Sequence, residues 1–237
     1  MHIVKAERFS FSAAIMAKNA RGSAAVIPDI KCISPKHGDL LRGRDPVETA
    51  KELVGCGAPV LSVVTEQTRF GGSTALLRDI VRATGVPVLR KDFITNESAL
   101  EESAELGAAA VLLICATTEQ SVLAKLYERA LELGLEPLVE VCSAEEMHFA
   151  AALGAKLVGI NNRNITTLEL DSGGVSRTAR LARLAPKDAL LISESGILSP
   201  EDATLAVAAG AKAVLVGTAL WQAEDMAAML RSLEVAL

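Results

Sequence analysis

Eight short β-branched or leucine-rich runs, each followed by a stretch with helical spacing, constrain this chain more than any other feature. The runs are AVIPDIK from Ala25, PVLSVVTE from Pro59, VPVLRKDF from Val86, AAVLLI from Ala109, PLVEV from Pro137, KLVGINNR from Lys156, ALLISESG from Ala189 and AVLVGTAL from Ala213. Between them lie helical patterns over Asp45 to Cys56, Ser73 to Thr84, Glu97 to Leu106, Thr118 to Leu133, Ser143 to Leu153, Ser172 to Leu184 and Pro200 to Ala209. Nearly unbroken apolar strands need burial on both faces, which a parallel sheet covered by helices provides. Glycines follow the helical stretches in CGAP, ELGAAA, ELGLEP, ALGAKL and AAGAKA, where a left-handed residue would feed the next strand. Ser143 with Glu146, and Ser199 ahead of Pro200, read as helix starts. Eight such βα units closed on themselves make a single-domain TIM (β/α)8 barrel of the α/β class.

The barrel is predicted over the whole chain, residues 1–237, with 1–24 as a short N-terminal helical extension. A helix over Glu7 to Ala20 would cap the barrel bottom or lie beside its mouth. SPKHGDLLRGRDP, residues 34–46, is the longest non-periodic stretch, and its Gly, Pro and charge content predict a mobile lid after the first strand.

With 237 residues, half of them apolar, the chain has material for one large core. Its 24 basic residues against 29 acidic ones are scattered and not interleaved with aromatics, which argues against nucleic acid as a partner. Cys32, Cys56, Cys115 and Cys142 have no metal-ligand spacing, and the expectation is buried reduced thiols. The sequence carries no 18-residue apolar span and no signal-peptide pattern, so a soluble cytoplasmic protein without membrane contact is expected. His2, His37 and His148 lie far apart, leaving little material for a histidine triad or a metal site.

In this fold, chemistry sits at the C-terminal ends of the strands. Those ends carry Asp29 and Lys31, Thr65 and Glu66, Lys91 and Asp92, Cys115, Glu140, Asn161 and Arg163, Glu194 and Ser195, and Gly217 and Thr218. In PVLRKDFI three charges follow a core strand with no intervening turn residue. Strand alternation puts Lys91 on the opposite face from Arg90, so if Lys91 points into the barrel, Arg90 and Asp92 pair outside it. Lys91 could merely neutralise Glu140 or Glu194 across the barrel. Two inward lysines facing three inward carboxylates at one rim instead favour acid–base chemistry. Glu194-Ser195-Gly196 and Gly217-Thr218 end the last two strands, where barrels often hold phosphate on backbone N–H groups. Cys115 has no histidine to activate it and reads as a small apolar filler.

These stretches resemble the indole-3-glycerol phosphate synthase family: IKCISPKHGDL, SVVTEQTRFGGS, PVLRKDFI, LLI, EPLVEV, GINNRNI, ISESGI and VLVGTAL fall on strands one to eight in order, from about Pro28 to Leu220. The resemblance implies closure of the indole ring of 1-(2-carboxyphenylamino)-1-deoxyribulose 5-phosphate with loss of carbon dioxide and water, in tryptophan biosynthesis. It implies no metal and no organic cofactor. It further implies Lys91 as general acid, Lys31 at the substrate carboxylate and assisting acid catalysis, and Glu140 as base for the dehydration. Asn161, Arg163, Glu194 and Ser195 would orient the substrate, and Ser34, Gly196, Gly217 and Thr218 would hold its phosphate. The partner implied is a small phosphorylated molecule, with other tryptophan-pathway enzymes as candidate protein partners.

Two departures stand out. Asp29 occupies a position where the family usually has glutamate, which sets its carboxylate back by roughly the 1.5 Å of one carbon–carbon bond. The segment before the first strand is short for the family. Two other readings compete: a Schiff-base phosphosugar aldolase, which borohydride trapping of a lysine adduct would reveal, and a non-catalytic phosphosugar-binding paralogue, which would bind ligand without forming indole. Asp29→Glu is predicted to be tolerated and Asp29→Ala is not; equal kcat/KM for all three would make the position structural only.

Overall fold

The computed structural model describes residues 10–163 and 174–237. His2, the first residues of the segment from Glu7, Ser172 at the start of one expected helix, and Asn164 and Ile165 of GINNRNI lie outside the described residues. The eight expected strands form: β1 (Ala25–Ile30), β2 (Leu61–Val64), β3 (Val88–Lys91), β4 (Ala110–Ile114), β5 (Glu136–Val141), β6 (Leu157–Asn161), β7 (Leu190–Glu194) and β8 (Ala213–Val216). All pair in parallel with their sequence neighbours, and β8 pairs with β1 to close the barrel, with Ala25 opposite Ala213. The layer outside holds α2 (Pro46–Gly55), α3 (Thr74–Thr84), α4 (Glu97–Glu105), α5 (Gln120–Glu132), α6 (Ala144–Ala152), α7 (Ser176–Leu181), α8 (Pro200–Ala208), α9 (Thr218–Gln222) and α10 (Met226–Ser232). Ser143 and Ser199 cap α6 and α8 by accepting the N–H groups of Glu146 and Asp202, and Gly210 leaves α8 at φ +118°.

Strand alternation sorts the core into two sets. One face of each strand packs against helices, as with Val26, Val63, Val88, Leu113, Val139 and Val158. The other face fills the barrel with Ile27, Leu89, Leu112, Leu138, Leu157 and Ile192. The order of those inward columns decides where polar side chains can stand.

α1 (Phe11–Asn19) resolves the alternative left by the sequence: it caps the bottom. The carboxylate of Glu136, which opens β5, accepts the N–H groups of Phe11 at 2.6 Å and Ser12 at 3.2 Å. A carboxylate suits these donors because the first N–H groups of a helix lack intrahelical acceptors and carry partial positive charge. Phe11 and Ile15 are fully buried and pack into the barrel-filling cluster. Lys18 then pairs with Glu234 at 2.7 Å, tying α1 to the segment after α10.

Two expectations change. The stretch after β1 opens with a short hairpin, Ile33–Ser34 antiparallel to Gly38–Asp39, exposed except at Ser34. Leu40 is buried beneath it, and Arg44 donates to the Trp221 carbonyl at 2.6 Å while lying 5.3 Å over the indole ring. An apolar anchor and a charge-assisted bond tie the segment down at Leu40 and Arg44, beyond the exposed hairpin tip. The cysteines are all free thiols, as expected, but none is fully buried. Cys32, Cys115 and Cys142 follow the last residues of β1, β4 and β5 and so lie just past the apolar runs, and Cys56 caps the end of α2. Among the described residues no helix is long and apolar enough to cross a membrane.

Truncating the bottom plug as Phe11→Ala is expected to cost about 3–5 kcal/mol of unfolding free energy, since the ring is fully enclosed, and urea unfolding measures it.

Candidate active site

The inward columns run apolar for most of the barrel and turn polar at its C-terminal end. Ile27 is succeeded on the same face by Asp29 and Lys31, Leu89 by Lys91, Leu138 by Glu140, Ile192 by Glu194, and Leu157 by Gly159 and Asn161. The register sets neighbours side by side, with Glu140 opposite Gly159 and Asn161 opposite Glu194. Asp29, Lys31, Lys91, Asn161, Arg163, Ser195, Gly196, Gly217 and Thr218 line one cavity at this rim. Glu140 and Glu194 are 3% and 1% exposed, and Lys91 acts electrostatically on both. Ser34 stands apart from the cavity lining; its buried hydroxyl accepts the N–H groups of Lys36 and His37 at 3.3 Å.

The three charges that leave β3 divide as alternation requires. Arg90 turns outward and donates to Asp92 at 3.3 Å, Thr65 at 3.1 Å, Glu102 at 2.8 Å and Ser103 at 3.1 Å. This satisfies a buried guanidinium that would otherwise be costly. Lys91 sits on the inward column and reaches the cavity.

Burial dominates the acids. It pushes Glu194 up to about 8, helped by the negative charges of Glu140 and Asp29 and opposed by Lys91. At neutral pH Glu194 therefore holds its proton. Among the described residues neither carboxyl oxygen of Glu194 has a hydrogen-bond partner. Burial also raises Glu140, while Lys91 and a hydrogen bond from Asn161 pull it back down. Gly159 makes room for this pair: a Cβ there would overlap the Glu194 carboxyl, so the β6 column must lack a side chain. Asp29 is oriented by Ser62 of β2, whose hydroxyl donates to Oδ1 at 2.7 Å, and it packs over the bare Cα of Gly217. Lys31 Nζ lies 3.5 Å from Thr218 Oγ1 and 5.6 Å from the Phe70 ring centroid.

Phe70, Phe93, Leu112 and Ile114 add an apolar wall to the same lining, with Phe70 beside Lys31. The Arg69 guanidinium lies 5.3 Å over Phe93. A flat aromatic group fits such a wall, while an anion fits the lysines and the backbone corner at Gly196 and Gly217. The sequence analysis did not single out Phe70, Phe93, Gly159 or Ser62. Gly159 and Ser62 were within reach, since each stands on an inward column, Gly159 two residues before Asn161 and Ser62 four before Glu66. Cys115 is no nucleophile, because burial pushes its thiol up to about 12. Among the described residues no group of three or more His, Cys, Asp or Glu is placed to hold a metal.

A closed parallel barrel with an acid–base cluster sunk below a mouth that sets Phe70 and Phe93 among Lys31, Lys91, Arg163, Asp29, Glu66 and Asp92 defines a TIM-barrel enzyme. The chain belongs to the indole-3-glycerol phosphate synthase family, whose model matches residues 2–233. It is 44% identical over 207 residues to the indole-3-glycerol phosphate synthase of Pyrococcus abyssi, covering 87% of this chain and 90% of that one. The synthase of Thermococcus kodakarensis is 45% identical over 209 residues, 88% of this chain and 91% of the relative. That of a Nocardioides species is 46% identical over 201 residues, 85% and 76% respectively.

Because Glu194 keeps its proton to about 8 when folded, against 4.5 for an ordinary carboxyl, its contribution to stability is complete below 4.5 and is lost as pH rises toward 8. Glu194→Gln cannot ionise. It is expected to gain stability relative to the parent as pH is raised across that window, read by denaturant unfolding at a series of pH values; a pH-independent difference would mean that Glu194 ionises normally.

Proposed function

We propose that the rim residues divide the indole-3-glycerol phosphate synthase reaction among themselves as follows. The substrate, 1-(2-carboxyphenylamino)-1-deoxyribulose 5-phosphate, carries a carboxylate, a ring and a phosphate, and the cavity offers a seat for each. The ring lies against Phe70 and Phe93, and Lys31 meets the carboxylate. The phosphate takes the Gly196, Gly217 and Thr218 corner, with the Ser34 loop closing that side. Asn161, Arg163, Ser195 and protonated Glu194 orient the sugar hydroxyls, Glu194 as a donor.

Ring closure joins the carboxylate-bearing ring carbon to the ribulose carbonyl carbon. The carbonyl oxygen gains negative charge and needs a proton, which Lys91 supplies from within the barrel. Carbon dioxide then leaves, and its bonding electrons restore the aromatic ring. The new hydroxyl departs as water when it is protonated and a proton is removed on the other side, for which Glu140 is the base. Burial raises the proton affinity of Glu140 and so strengthens it as a base, while Lys91 and Asn161 oppose that rise in part. Asp29, held by Ser62, lies beside Lys31 on the same column and balances its charge. Every step is a proton transfer, a carbon–carbon bond change or, in the dehydration, the breaking of the carbon–oxygen bond to the leaving water. The setting that suits it is the cytoplasm, where the phosphorylated substrate and the other tryptophan-pathway enzymes would be met.

The observation that carries this reading is Lys91: a lysine on an inward column, flanked by two buried carboxyl groups and open to an aromatic-walled cavity. Formation of indoleglycerol phosphate by the purified chain, followed by fluorescence, tests the reaction. Lys91→Ala is expected to abolish turnover while substrate binding survives. Thr218→Asp should chiefly raise KM, by setting a negative charge against the phosphate. Normal turnover by Lys91→Ala would overturn the assignment of the acid.

A further inference from the structure

Asn162 stands between two cavity residues, Asn161 and Arg163, yet does not line the cavity. Its side chain fills the seam where β6, β7 and α7 meet. Its Nδ2 lies 3.0 Å from the Glu194 carbonyl, 3.1 Å from the Ser195 carbonyl and 3.0 Å from Ser193 Oγ. Its Oδ1 accepts the Thr178 N–H at 2.9 Å and the Thr178 hydroxyl at 3.0 Å. The backbone N–H of Asn162 donates to the Glu194 carbonyl at 2.9 Å. The amide orientation is forced, because a backbone N–H can only donate and two carbonyls can only accept. A carboxylate or a hydroxyl in its place would serve one side and fail the other.

What this amide holds is strained. Ser195 has φ +62° and Gly196 φ +72°, two consecutive left-handed residues, the first of them not glycine. That turn brings both residues into the cavity lining. The same first turn of α7 also grips β6, since Arg177 Nη1 donates to the carbonyls of Asn161 at 2.8 Å and Arg163 at 2.7 Å. Thr178 Oγ1 and Ser193 Oγ, 2.7 Å apart, close the network.

We propose that Asn162 is a positioning residue for the substrate: it locks the left-handed Ser195–Gly196 turn to the β6 rim, so that both strand ends meet the ligand in one fixed relation. The proposal rests on the reading that Ser195 and Gly196 touch the substrate, and Asn162 acts through them. It explains why an asparagine is needed beside a rim residue that already has the same side chain.

Kinetics of Asn162→Asp test it. This variant keeps the acceptor for Thr178 and sets a carboxylate against two carbonyls. KM for the substrate and the competitive inhibition constant of inorganic phosphate are expected to rise together, on the order of 10- to 100-fold, with kcat changed less. Thr178→Ser should retain parental constants, because it keeps the hydroxyl. Thr178→Val should show a smaller rise in the same two constants, and it carries the test if Asn162→Asp does not fold. If both constants stay within about two-fold while only the melting temperature falls, Asn162 is structural and the inference fails. Gly196→Ala serves as the control: if it too leaves both constants unchanged, the contact role of the rim falls, and the inference with it.

Discussion

Everything at this site depends on placing ionisable groups where water is scarce. Glu140 and Glu194 stand at the ends of inward columns with hydrocarbon below them, so desolvation is the first cause of both raised proton affinities. An isolated buried carboxylate would be costly, and the fold offsets this in two ways. Lys91 stands close enough to act on both acids, and Glu194 stays neutral. The outcome is a pair of carboxyl groups whose proton affinities are both raised by burial and both moderated by Lys91, which suits groups that must exchange protons near neutral pH.

The barrel makes that placement possible through alternation and register. A column that begins with Leu89 delivers Lys91 to the mouth, and the next residue in the chain, Asp92, leaves to neutralise Arg90 outside. Closely paired strands would crowd such a cluster, and the fold relieves this by omission. Gly159 vacates the space that the Glu194 carboxyl fills, and Gly217 lets Asp29 pack closely, where a Cβ would come within 3.3 Å of it. The bottom is sealed separately, by Phe11 and Ile15, so the packing of the lower barrel and the chemistry of the rim are handled by different residues.

Much of this was legible in the chain. The eightfold alternation of strand and helix gave the barrel because two-faced apolar strands have few other ways to be covered. Residue parity put Lys91 and Arg90 on opposite faces, so that an inward Lys91 implied an outward, paired Arg90, because side chains on a strand alternate whatever surrounds them. The hairpin in residues 34–46 was not legible, since its anchor is Trp221 on the far side of the sequence. The partial exposure of the cysteines was missed for a related reason: a residue one step beyond an apolar run looks like part of it until the strand end is located.

Local pattern therefore determined the fold and the identity of the polar rim, since periodicity and composition act over a few residues. Tertiary structure alone decided which of those polar groups share a cavity and that burial raises the proton affinity of both rim glutamates. It also decided that Asn162 faces the seam while Asn161 faces the cavity. Proton affinity and hydrogen-bond partnership depend on neighbours that come from distant segments and on how much water they displace. Those quantities exist only once the barrel has closed.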